Sequence, residues 1–438
     1  MSVIVEPDPV AILQTLIRFD TTNPPGNEGI AIGWVKDLLA QEGIPAAILA
    51  RHPERPNLIA RLPGEGNAPP LMLYGHLDVV TTEGQEWEHP PFSGELMDGW
   101  VWGRGALDMK SGIAIFLAAF LRAHQENTPL PGDVLLVLLS DEEHGGDFGA
   151  RYLVERHPGQ FQGVRYAIGE FGGFSFEFAG QRFYPIMVAE KQICALRAVI
   201  RGSGGHGSLT VSFNPMMRLA RFLTDLEKNQ PPVHITQPLR LMITRASDEL
   251  PSPLRTILRS ILNPKLTRRT IKQVGELGAL LEPLVANTAQ PTMVRGGDMI
   301  NVLPSEIQVG LDGRLLPGFE PQALLDELHQ RAGKDIEYFV ERFDPGPSEP
   351  DLGLFDTLAR VLKQADQQGK SIPFLLPAVT DGRFFSRLGI QTYGYIPMKF
   401  PPGFAFPRLL HAANERIPAE VLHFGTRTIF RVIQEFGT

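Results

Sequence analysis

The chain has 438 residues, 43% apolar and 21% charged, and its 41 lysine and arginine residues against 49 acidic ones leave a net charge of −8. That length exceeds one compact core and points to two domains, and the apolar fraction excludes disorder and fibres. The acidic balance excludes nucleic acid and an anionic membrane as partners, and the single cysteine, Cys194, excludes an internal disulfide and a cysteine-based metal site.

The opening MSVIVEPDPV lacks the basic and apolar regions of a secretory signal, and the longest apolar run, Ile113 to Leu121, is too short to span a membrane. A soluble, cytoplasmic protein is expected. Asp8-Pro9 caps a first helix, with Ile12, Leu13, Leu16 and Ile17 at helical spacing. TTNPPGNEG (21–29) is a loop, and a second helix runs to about Gln41, with Gly43 near its end. Strand-like segments follow at Ala46–Ala50, Leu58–Leu62 and Leu71–Gly75, then a helix over Ser111–Ala123. Val134–Leu139 is the strongest strand pattern, and helix Gly149–Arg156 precedes strand Tyr166–Gly169. Continuously apolar strands between helices predict an α/β fold whose sheet is mainly parallel and covered on both faces.

From Gln192 the texture changes. Cys194–Ile200 and Ile307–Leu315 read as half-buried strands. Between them, roughly 225–290, lies a stretch rich in proline and basic residues, with helical segments at Leu254–Leu262 and Val274–Val285. An α+β domain over 192–345 with a helical insertion is expected, placed between catalytic segments 1–191 and 346–438. Helix–strand alternation returns at Leu354–Ala365, Pro373–Leu376 and Thr392–Ile396, and a helix near Pro418–Phe436 closes the chain.

The chemistry collects where strands end. LMLYG runs into His76 and Asp78, VLLVLLS into Asp141-Glu142-Glu143, and RYAIG into Glu170. Ligand sites in open parallel sheets form at the carboxyl ends of strands. GRGALDMKSG adds Asp108 just before an apolar helix. Taken singly, each has a plainer reading as a turn, a solvated acid or a helix cap. Together, each at an element terminus, they point to one metal site.

The motifs YGHLDVV, WGRGALDMKSG, LSDEEHGG, GSGGHGS, DGRLLPG, TDGRF and HAANE, in this order, resemble metallopeptidase family 20 (clan MH) over roughly residues 10–435. That family includes acetylornithine deacetylases, succinyl-diaminopimelate desuccinylases, aminoacylases and carboxypeptidase-type enzymes. The resemblance is greatest to its carboxypeptidase S and N-acyl amino acid hydrolase branch. It implies a zinc-peptidase-like catalytic domain with an inserted lid domain and two Zn²⁺ per subunit, cobalt or manganese being plausible substitutes. His76, Asp108 and Glu170 would hold one ion; Asp108, Glu143 and His411 the other. Asp78 would orient His76, and a cis peptide would follow Asp108. Glu142 would be the general base, acting on a water made acidic by the two cations, which would also polarise the amide carbonyl.

The same resemblance gives His206 the developing oxyanion, and gives Asn301, Arg314 and Arg383 the substrate, the arginines as forks for a free carboxylate. His52, His89, His124, His144 and His157 read as loop residues, and Cys194 as an inert buried thiol. The implied substrate is an N-acyl amino acid or small dipeptide, with a homodimer possible through the lid. The alternatives are an acetylornithine or succinyl-diaminopimelate deacylase, and a catalytically silent binding relative. The 225–290 insertion, absent from shorter members, favours an apolar acyl group or side chain.

Overall fold

The computed structural model describes residues 7–209 and 212–437; the MSVIVE opening lies outside them. The chain divides into two compact units, Met1–Val188 with Asp351–Phe374 and Thr380–Thr438, and Ala189–Pro350 with Leu375–Val379.

In the first unit, α1 (Pro9–Arg18) starts where the Asp8 carboxylate accepts from Val10 N at 3.0 Å, and α2 (Gly29–Gln41) ends two residues before Gly43, whose φ is 75°. The central sheet is built on β1 (Ala46–His52), β2 (Arg55–Leu62), β3 (Leu71–His76), β4 (Val134–Leu139), β5 (Tyr166–Gly169) and β6 (Gln181–Glu190). The helix α3 (Lys110–Gln125) lies between β3 and β4.

The second unit is a four-stranded antiparallel sheet. Its strands are β7 (Gln192–Arg201), β8 (Thr288–Arg295), β9 (Glu306–Leu315) and β10 (Glu337–Asp344), in the order β8-β9-β7-β10. Alternating residues of β7 and β9 (Leu196, Ala198, Ile200; Ile307, Val309, Leu311) face a core closed by α4 (Pro215–Lys228) and α5 (Pro321–Ala332), and Cys194 is fully buried there. Short helices Gln237–Asp248, Leu254–Arg259, Thr267–Gln273 and Glu276–Leu281 fill the stretch between α4 and β8.

The chain then supplies α6 (Phe355–Ala365), β11 (Gly369–Leu376), β12 (Gln391–Gly394) and α7 (Ala419–Glu435). The central sheet runs β1-β2-β4-β3-β5-β12-β6-β11, with Phe176–Phe178 paired to β6. Its middle strands β4, β3, β5 and β12 are mutually parallel, and β1-β2, β2-β4 and β12-β6 are antiparallel. Side-chain alternation makes it two-faced. Leu71, Leu73, Leu136 and Leu138 pack with α1, α3 and α7, whereas Met72, Tyr74, Leu135 and Val137 pack with Leu153, Phe384 and Phe385. Two of the expected loop histidines lie in regular elements instead: His52 ends β1 and His124 sits in α3. Among the described residues no helix is long and apolar enough to cross a membrane.

Candidate active site

Three neighbouring strands converge on one edge. His76 ends β3, Glu142 and Glu143 form a single turn after β4, and Glu170 follows β5. Asp108 arrives from the segment before α3, and its peptide bond to Met109 is cis. His411 comes from the loop ahead of α7, in left-handed conformation with φ 59°. The two oxygens of Asp108 face different histidines: Oδ1 lies 3.2 Å from His76 Nε2, and Oδ2 lies 3.4 Å from His411 Nε2. Glu170 Oε2 is 3.4 Å from His76 Nε2, and Glu143 Oε1 is 3.4 Å from His411 Nε2. Two donor groups result, His76–Asp108–Glu170 and Asp108–Glu143–His411, each with its ligand atoms within 4.8 Å of one another.

The donor set fits divalent cations. Glu143 Oε1 and Glu170 Oε2 are buried with no well-formed hydrogen bond, each facing only a histidine Nε2 at 3.4 Å, which is costly unless a cation faces them. Burial, with Asp108 and Asp381 nearby, pushes Glu170 up to about 8 although His76 opposes it. Glu143 is also raised, chiefly by burial. Hydrogen bonds to Asp108 and Glu143 take His411 up to about 10. At His76, burial opposes the imidazolium, yet Glu170, Asp108 and Asp78 outweigh it and the group is raised. Imidazole nitrogen and carboxylate oxygen are ordinary ligands of zinc and its neighbours.

Asp78 does more than expected. His76 Nδ1 is 3.0 Å from the Asp78 carbonyl oxygen and 3.5 Å from its carboxylate, so either contact leaves Nε2 facing Asp108. The Asp78 carboxylate itself accepts from the backbone N–H groups of Glu142 (3.1 Å) and Glu143 (3.0 Å), and from Asn23 Nδ2 (2.8 Å). It thereby sets the turn that presents both glutamates. Asp141, left-handed at φ 73°, is anchored by Arg55 at 3.0 Å, and Arg55 is itself paired with buried Glu28 at 2.5 Å.

Sequence reasoning passed over a second pair. Glu415, in HAANE, accepts from the backbone of Leu107 (2.6 Å) and Asp108 (3.2 Å). Its other oxygen binds Arg104 at 2.6 Å, and Arg104 also donates to the carbonyl of Ala412. Both side chains are buried, so they tie the Asp108 segment to the His411 loop. The signal was there to read, since GRGALD and HAANE each place an opposite charge four residues from a proposed ligand.

Arg383, expected as a fork for substrate, lies beside Glu142. It is 3% exposed and donates to the carbonyls of Thr380 (2.5 Å) and Gly145 (3.2 Å), with Nη1 3.7 Å from Glu142 Oε1. Burial and these backbone partners hold it beside Glu142 and away from solvent. Glu142 is raised by burial and by Glu170, with His76 and Arg383 opposing. The second unit carries the other three expected residues. His206 is exposed, with Nδ1 2.7 Å from Ser208 Oγ. Asn301 is exposed, and its carbonyl accepts from Gly207 N. Arg314 pairs with Asp312 at 2.8 Å.

A mixed α/β sheet whose strand ends gather histidines and carboxylates around a shared aspartate defines the class of metal-dependent hydrolases. The sequence profile of peptidase family M20/M25/M40 matches residues 72–435, and the chain belongs to that family, as a hydrolase of amide or peptide bonds. The chain is 28% identical over 382 residues to the N-fatty-acyl-amino acid synthase/hydrolase PM20D1 of Homo sapiens, covering 84% of this chain and 74% of that one. It is 24% identical over 423 residues to aminoacylase-1 of Sus scrofa, covering 93% and 90%. Its fold matches the M20 family metallo-carboxypeptidase Sso-CP2 of Sulfolobus solfataricus with a TM-score of 0.71 at 17% identity, over 98% and 99% of the chains. It also matches the YXEP protein of Bacillus subtilis, a dinuclear metal-binding peptidase, with a TM-score of 0.59 at 14% identity, over 97% and 96%.

Proposed function

We propose that this chain hydrolyses the amide bond of N-acyl amino acids, or of small dipeptides, beside a free carboxylate. His76, Asp108 and Glu170 would hold one divalent cation and Asp108, Glu143 and His411 a second. Zinc is the first choice for such nitrogen and oxygen donors, with cobalt or manganese able to substitute. Such ions, when bound, supply Lewis acidity toward the amide carbonyl and toward water. The observation that carries this reading is Asp108, whose two oxygens each face a different histidine while Glu170 and Glu143 each turn one oxygen toward those same histidine nitrogens.

The chain's own residues supply the rest. Glu142 is in neither ligand group, so its carboxylate can take the proton of the attacking water and return it to the departing amine. Asp78 holds the Glu142 and Glu143 amides, and Arg383 keeps a guanidinium near Glu142 Oε1. The roles of His206 opposite the oxyanion, and of Asn301 and Arg314 toward substrate, rest on the family resemblance. The relatives named for N-fatty-acyl amino acids and for aminoacylase activity support the substrate class.

A homodimer through the second unit is the assembly we favour, in keeping with a lid domain over 192–345. Strand β8 is an edge strand, and Met293 and Val294 on it are exposed, as are Phe213, Met217 and Ile300. Light scattering should give twice the chain mass, and a monomer at micromolar concentration would contradict it. The function is tested by free-amine release from a panel of N-acyl amino acids, using metal-stripped and zinc-restored protein. Release that needs metal and is lost in Glu142→Ala is the expected result; release that survives metal stripping would contradict the reading.

A further inference from the structure

A recess opens beside the candidate metal centre, wholly within the first unit, with Asp108 and Glu170 among its lining residues. Buried Ile396, Met398 and Phe400 line it, and half-buried Phe174, Phe406 and Leu410 complete its walls. The aromatic wall is continuous: the Phe174 and Phe406 rings lie 4.4 Å apart, and Phe400 stacks on Phe406 at 5.1 Å. Its backbone is fixed. Ile396 N donates to Gly172 O at 2.8 Å, Met398 N to Gly173 O at 3.0 Å, and Ser175 N to Met398 O at 2.8 Å. The turn after Glu170 runs so close to β12 that a Cβ on Gly172 would sit 1.9 Å from Gly394 O, so only glycine permits this wall.

Among the described residues lining the recess, the only polar side chains are Asp108 and Glu170, and none is cationic. A substrate carboxylate placed against those rings would lose its water and meet no side-chain donor among the described lining residues. The half of the substrate carrying the free carboxylate is therefore excluded, and so is an acyl group ending in a carboxylate. We infer that the recess is the acyl subsite, and that it selects uncharged aliphatic or aromatic acyl groups over succinyl and other acidic ones. This rests on the function proposed above and adds the acyl specificity and the residues that set it.

The test compares N-acetyl, N-butanoyl, N-hexanoyl and N-succinyl derivatives of one amino acid on the metal-loaded full chain, with binding of the free acids measured by calorimetry. Each added methylene that is buried should raise kcat/KM about fourfold, the equivalent of about 0.8 kcal/mol. Succinyl, which matches butanoyl in carbon count, should fall at least about tenfold below it through the unpaired carboxylate. Phe406→Ser and Phe174→Ser should each cut the hexanoyl-to-acetyl ratio about tenfold, while Phe406→Leu keeps most of it. A flat acyl series with clear turnover, or a preference for succinyl, would overturn the subsite while leaving the hydrolase reading intact. If no derivative turns over but hexanoate still binds and Phe406→Ser weakens it, the subsite stands and the reaction reading falls. Absence of both turnover and hexanoate binding would overturn the subsite as well.

Discussion

At the scale of single residues, the site depends on side chains that never need to touch a metal. The Asp78 carboxylate receives the amides of Glu142 and Glu143, so Asp78→Ala releases the turn that aims both. We expect kcat to fall 10- to 100-fold, the usual cost of losing an outer partner of a metal site, with metal affinity weakened in parallel. Steady-state kinetics and metal titration would check it. Glu415→Gln removes one charge of a buried pair and leaves Arg104 uncompensated. Loss of about 3–5 kcal/mol of stability is expected from urea unfolding. Arg104→Met with Glu415→Met should be milder, because no unpaired charge stays behind.

At the scale of elements, the sheet topology explains why distant residues meet. The parallel order β4-β3-β5 puts the carboxyl ends of three strands side by side, and His76, Glu142 with Glu143, and Glu170 are the residues that leave them. Much of this was legible: β4, β5, the Asp8 cap and the apolar α3 follow from continuous apolar runs and helix-start chemistry. Strands β6, β8 and β10 were not. β8 and β10 are edge strands with mostly exposed or half-exposed side chains, so they carry little apolar pattern, and β6 sits behind a glycine- and phenylalanine-rich turn that reads as a loop. Nor could periodicity foretell that β1 and β2 pair antiparallel as a hairpin, because apolar content is blind to strand direction. The Arg104–Glu415 link was equally hidden, since 311 residues separate its partners. Gly149 offers a test at this scale. A Cβ there would lie 1.9 Å from Ser140 O, at the end of β4, so Gly149→Ala must push away the strand end that delivers Glu142. Destabilisation of about 1–3 kcal/mol with a larger loss of kcat than of KM is expected.

At the scale of the whole molecule, each unit has its own core: the first folds around both faces of the central sheet, the second around one face of its four-stranded sheet. The donor groups His76–Asp108–Glu170 and Asp108–Glu143–His411 lie entirely in the first unit, so cation binding should stabilise that unit. A ligand at about 100 times its Kd contributes about 2.7 kcal/mol to the state that binds it. Calorimetric unfolding should therefore resolve a transition that falls on chelation and recovers with zinc, whereas a second-unit transition stays put. A single transition indifferent to chelator would count against a metal held by these residues.

Asp108 is proposed to serve two cations at once, and metal content per chain after zinc loading and dialysis tests that most directly. Two equivalents are expected in the wild-type chain, retained in Glu142→Ala and lost from both positions in Asp108→Ala. Two equivalents retained in Asp108→Ala, or none in the wild-type chain, would contradict it.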